Sequence, residues 1–121
     1  MANPTYFKTS GVKSDKVVFT NGTASATAGA ATLNAIAGVI TSESITTAAG
    51  SEYTLTLTNS KISAADIVLA AVLNGTNTTA GIAVTTVTPA AGSVVIKVKN
   101  THASSALNGT IKVAFVVVNV A

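Results

Sequence analysis

The run from Thr110 to Val120 (Thr-Ile-Lys-Val-Ala-Phe-Val-Val-Val-Asn-Val) limits the possible folds of this chain more than any other stretch. It opens in alternation, with Ile111, Val113 and Phe115 set against Thr110, Lys112 and Ala114, and then turns apolar on both sides through Val116, Val117 and Val118. β-Branched residues at that density favour a strand, and a strand apolar on both faces belongs in a core or at an interface. Phe115, Val116, Val117, Val118 and Val120 are therefore the expected core or oligomer-interface residues.

Upstream, the same period of two recurs. Tyr53, Leu55 and Leu57 alternate with Thr54, Thr56 and Thr58, which reads as a strand with one face in the core and a threonine row outside. In Ser93 to Asn100, Val94, Ile96 and Val98 point inward, and Lys97 and Lys99 outward. Lys16 to Thr20 and Ile82 to Thr88, the latter closed by Pro89, read as further short strands, as does Ile36 to Ser44, where Gly38 suggests a bulge or a close backbone approach. Ile67 to Leu73 is continuously apolar and predicts a central buried strand. Ala24 to Asn34, small and weakly patterned, is a flat strand or loop, and Lys61 to Asp66 is long enough for one helical turn capped by Ser63.

Asn-Gly-Thr occurs three times, at residues 21–23, 74–76 and 108–110. Asn-Gly is the strongest two-residue hairpin signal, because both positions tolerate positive φ, so the repeats predict antiparallel corners. They are also glycosylation sequons, as is Asn77-Thr78-Thr79, and the turn reading is preferred. Thr47-Ala48-Ala49-Gly50 and Thr88-Pro89-Ala90-Ala91-Gly92 are further turns, each leading into a strand that ends in Asn. The expectation is an all-β domain: an antiparallel sandwich or barrel of about eight short strands, Greek-key or jelly-roll-like, over residues 17–121. Residues 1–16 read as an extended N-terminal arm.

Composition restricts the functional classes. Of 121 residues, 48% are hydrophobic and 9% charged, with mean hydropathy +0.56, where a typical soluble domain carries about 25% charge. Such a chain is too apolar for disorder and suits a protein that lives against another surface. It has no cysteine, so packing or oligomerisation must hold it. No apolar run reaches the ~18 residues of a membrane-spanning helix, and the N-terminus lacks a basic region followed by an apolar one, so neither membrane insertion nor a cleaved leader is expected. The net charge of +3 comes from scattered lysines, without the clustered cations and stacking aromatics of nucleic-acid binders.

Residues for chemistry are few. Asp15, Glu43, Glu52 and Asp66 read as lone surface acids, and His102 near Ser104 and Ser105 as a loop histidine bonded to backbone. The row Thr54, Thr56, Thr58 has one other copy, Thr86-Val87-Thr88, and reads as an exposed strand face rather than an ice-binding array. The expectation is no enzyme, no metal, no cofactor and no small-molecule substrate. In the arm, Tyr6 and Phe7 are two of five aromatics and, with Lys8 and Lys13, form the candidate contact to a neighbouring molecule.

From Ala31 to Val118 the chain resembles the head decoration, or cement, proteins of tailed bacteriophages. The likeness lies in Ala-Thr-Leu-Asn-Ala-Ile-Ala-Gly-Val-Ile-Thr-Ser-Glu, Ala-Gly-Ser-Glu-Tyr-Thr-Leu-Thr-Leu-Thr-Asn and Asn-Thr-His-Ala-Ser-Ser-Ala-Leu-Asn-Gly-Thr-Ile-Lys-Val-Ala-Phe-Val-Val-Val, an overall texture rather than a site motif. It implies a β-rich structural protein, commonly a homotrimer, with the major capsid protein as partner. It also implies a place on the outer surface of the head, at three-fold or local three-fold positions, after a stay in the host cytoplasm before assembly. The alternative is a tail, fibre or host-binding β module, for which Tyr53 is the candidate exposed aromatic.

Overall fold

The computed structural model describes residues 22–119. The strand read at Lys16 to Thr20, the arm residues Tyr6, Phe7, Lys8 and Lys13, and Val120 lie outside the described residues. Among the described residues there are eight strands and no helix: β1 (Gly22–Ser25), β2 (Ala30–Thr32), β3 (Ala37–Thr41), β4 (Glu52–Thr58), β5 (Ile67–Asn74), β6 (Ile82–Ala90), β7 (Ser93–Asn100) and β8 (Ile111–Val118). They form two four-stranded sheets, β1-β3-β8-β5 and β2-β4-β7-β6, in a sandwich-like arrangement without barrel closure.

The all-β expectation holds, with one refinement: the sheets are mixed. β1 pairs with β3, and β2 with β4, in parallel, while the other pairs are antiparallel. A parallel pair needs a crossover connection. Here the crossover between β1 and β3 is β2, which lies in the other sheet, and the crossover between β2 and β4 is β3. The chain thus passes from sheet to sheet at every connection except the β6–β7 hairpin, which turns through Ala91 and Gly92.

Alternation in the sequence fills the space between the sheets. β4 is exposed and buried residue by residue, with Tyr53, Leu55 and Leu57 inside and Thr54, Thr56 and Thr58 outside. Facing them across the β4–β7 ladder are Val98, Ile96 and Val94. From the other sheet come Ile40, Val68, Ile111, Val113 and Phe115. Each such aliphatic contributes about 1.5–3 kcal/mol by leaving water. β8 is a central strand, as its composition requires, flanked by β3 and β5.

Three local expectations are corrected. Ile67 to Leu73 is not a central strand buried on both faces: β5 is the edge of its sheet, and Ile67, Leu69 and Leu73 are 49%, 58% and 57% exposed. Residues 61–66 form turns, not a helical turn capped by Ser63. Ser63 N donates to the Asp66 carboxylate at 2.9 Å and Asp66 N to Ser63 O at 3.1 Å, so the acid does the capping. Asn74-Gly75 and Asn108-Gly109 are not hairpin turns, since neither glycine has positive φ.

The primed turn falls instead in the weakly patterned stretch. Thr27 and Ala30 exchange backbone hydrogen bonds at 2.9 and 3.0 Å around Ala28 (φ 50°) and Gly29 (φ 76°), a type I′ corner joining β1 to β2. Gly29 has a second constraint: a Cβ there would lie 2.6 Å from the carbonyl oxygen of Thr54, whereas Gly50 (φ 78°) has open space around it. Gly50→Ala is therefore expected to lower stability by about 1–2 kcal/mol through φ alone, and Gly29→Ala by about twice that or more. Urea denaturation midpoints of the two variants measure the difference.

Candidate interaction surfaces

The sites of this molecule are its loop fastenings and its two outer sheet faces. The fastenings are amides. Asn59 and Asn100, the residues that follow or end the two alternating strands, are both fully buried. Asn59 accepts from Ala35 N (3.2 Å) and Lys61 N (3.0 Å) and donates to Ala35 O (2.7 Å). Asn100 donates to Thr47 O (3.0 Å) and Ser105 O (2.8 Å) and accepts from His102 N (3.0 Å). Asn77, also buried, donates to Asn74 Oδ1 and Thr79 O and accepts from Asn108 N.

The two Asn-Gly-Thr copies within the described residues bind each other. Thr76 N donates to Thr110 Oγ1 (2.9 Å) and Thr110 N to Thr76 Oγ1 (2.8 Å), a reciprocal exchange. The approach is so close that a Cβ on Gly75 would lie 2.2 Å from Thr110 Oγ1, and one on Gly109 2.5 Å from Thr76 Oγ1. These glycines are there for contact between segments, which a turn signal read locally does not reveal.

The acids are less isolated than their spacing suggests. Asp15 lies outside the described residues, and Glu52 is exposed and accepts from the Thr85 hydroxyl. Asp66, however, is buried, accepting from Ser63 N and from Asn119 Nδ2 at 3.1 Å. Glu43 is half-buried and accepts from Gly29 N (2.8 Å) and from the Tyr53 hydroxyl (2.9 Å), tying the β1–β2 corner to β4. His102 Nδ1 accepts from Ser104 N (3.1 Å) and Ser105 N (2.9 Å), so those serines meet the imidazole through their backbone N–H groups. Among the described residues, no three His, Asp or Glu side chains come together in a metal-binding group.

The outer face of the β2-β4-β7-β6 sheet is hydroxyl-rich. Thr54, Thr56 and Thr58 share it with Thr32 on β2 and with Thr86 and Thr88 on β6, so both Thr-x-Thr copies lie on one surface. β7 runs between them and sets Lys97, Val95 and Ser93 in the intervening positions, which breaks the lattice.

The outer face of the β1-β3-β8-β5 sheet is apolar along β8 and β5. Register places Leu73 beside Lys112, Ala71 beside Ala114, Leu69 beside Val116 and Ile67 beside Val118. Of the expected interface residues, Phe115 is in the core, Val117 is half-buried on the inner side, Val116 is half-buried on the outer face, and Val118 is 39% exposed there. The exposed members that the sequence reading placed in the core are those of β5. Tyr53 is likewise not exposed: it is 8% accessible, which removes the candidate stacking aromatic of a sugar-binding surface.

Comparison with protein-family models, with curated proteins and with solved structures gives no match for this chain. No helix among the described residues is long and apolar enough to cross a membrane.

Burial holds the Tyr53 phenol above its usual ionisation range, and its hydrogen bond to the Glu43 carboxylate and that group's charge push it the same way. Once pH rises past about 10, the unfolded chain loses a phenolic proton that the folded chain keeps. Stability therefore falls with pH there, by up to about 1.4 kcal/mol per unit. Titration of the denaturation midpoint from pH 8 to 11 is expected to show this slope in the wild type and a shallower one in Tyr53→Phe.

Proposed function

We propose that this chain is a virion structural protein that decorates the outer surface of a tailed-phage head, binding the major capsid protein and stabilising the expanded shell. The observation that carries the reading is the open apolar strip along β5 and β8 on a thinly charged sandwich, the kind of surface that marks an interaction site. The resemblance supplies the partner and the homotrimeric state. A decoration protein needs no reaction chemistry; it stabilises the lattice form to which it binds, by mass action. Repetition over the shell turns modest contacts into firm attachment.

In this reading Tyr6, Phe7, Lys8 and Lys13 of the N-terminal arm grip the capsid. The fibre or host-binding alternative relied on Tyr53 as a stacking surface, and its burial favours decoration. Deleting residues 1–15 is expected to abolish binding to purified expanded heads in a co-sedimentation assay while leaving the β-sheet circular dichroism of the isolated protein unchanged. Undiminished binding by the deletion variant would refute the role given to the arm. Density assigned to this chain at a few dozen copies or fewer in a particle image, rather than hundreds, would refute decoration itself.

A further inference from the structure

The four sheet edges are not alike. Among the described residues, β2 is only three residues long, and β6 carries both Pro89 and an irregularity between Val84 and Thr86. Short edges, prolines and bulges are the usual ways in which a sheet avoids pairing with another chain. β5 runs for eight residues without a proline, a charge or a register shift; its edge lies against β6 of the other sheet, and its outward residues are Ile67, Leu69, Ala71 and Leu73.

The face beside that edge has a shape that fits itself. Leu69 projects, 58% exposed, at the side of a shallow apolar dimple that it lines together with Ala71, Ala114 and Val116. Projection and hollow on one surface let Leu69 of one copy enter the hollow of another, the complementarity that a contact between copies needs. Lys112 is the one charged residue among those placed outward on β5 and β8, and it sits in the end row beside Leu73, where its ammonium can stay in water.

The exposed parts of Ile67, Leu69, Leu73 and Val118 amount to about 400 Å² of apolar surface, within the range of the largest patch on a monomer and typical of a functional one. With Ala71, Ala114, Val116 and the lysine stem the face reaches roughly 600 Å², a small interface beside the ~800 Å² that each partner contributes to a standard one.

We propose that the outer face of β5 and β8 is the surface by which copies of this chain bind one another, with Leu69 of one copy seated over Ala71 and Ala114 of the next. The inference stands on this face and not on the virion reading; a self-associating chain without affinity for a phage head would leave it intact.

Sedimentation equilibrium of the full chain, from about 1 to 100 µM, tests it with three proteins: wild type, Leu69→Lys, and Thr56→Lys on the opposite sheet. The wild type and Thr56→Lys are expected to form the same oligomer, and Leu69→Lys to dissociate at least tenfold more readily. A monomeric wild type at 100 µM, or an oligomer indifferent to Leu69→Lys, overturns the proposal. Carbene footprinting of the wild type gives an answer even if the lysine variant misfolds. Labelling of Leu69 and Leu73 should fall as concentration rises, while labelling of Thr54 and Thr56 stays constant. Labelling of Leu69 that is low at every concentration and rises only when residues 1–21 are deleted would mean that the chain's own first segment covers the face, which also overturns it.

Discussion

The structure depends on how the chain is held each time it crosses from one sheet to the other. Among the described residues six of the seven connections between strands make that crossing, and each must be fixed without a disulfide. Buried amide side chains do this. Asn59 binds the backbone of the residue 33–36 connection and the residue 60–62 turn; Asn100 binds the connections at residues 47 and 101–105; Asn77 joins the connection after β5 to the one before β8. A primary amide offers two donors and an acceptor oxygen in one plane, so it can replace several backbone partners at once in a dry interior. Among the described residues every buried side-chain nitrogen or oxygen has a partner, which is what makes such an interior tolerable in energy.

Fastening the loops inward leaves the outer faces free to differ. One carries threonines interspersed with Lys97 and Lys99 and remains wet; the other carries Leu, Ile, Val and Ala with a single lysine in its end row. The low charge of the chain has a structural counterpart in this division. Polar side chains spend their hydrogen bonds on the chain itself, as in the Thr76–Thr110 exchange, and the hydrophobic surplus lies on the face where a partner is inferred.

Much of this architecture was legible in the residues, and the failures have identifiable causes. β4 and β7 were clear because water on one side and core on the other impose a period of two, which Tyr53 to Thr58 and Ser93 to Asn100 keep without a break. Ile67 to Leu73 misled because an unbroken apolar run is the signature both of a strand buried on two faces and of an edge strand whose outer face is open. Composition cannot separate them when the covering surface is not in the same part of the chain. The Asn-Gly pairs misled because a local turn preference competes with a tertiary reason for glycine, here the close passage of Gly75 and Gly109 by threonine hydroxyls. The I′ corner was missed because its first position is Ala28, a residue with no preference for positive φ, held there by the exchange between Thr27 and Ala30. The buried role of Asn59 and Asn100 had only one trace in the sequence, the appearance of Asn at the end of both alternating strands.

If buried amides hold the crossings, the backbone groups they engage must be as hard to open as the strands themselves. Native-state hydrogen exchange on the wild-type protein reads this directly at the amides of Ala35, Lys61 and His102, whose acceptors are Asn59 and Asn100 side chains. The expected result is protection close to that of Leu55 and Ile96 in the core, with all five amides following global unfolding as denaturant is added. Exchange of the three loop amides at rates near those of an open chain, with Leu55 and Ile96 still protected, would contradict the account.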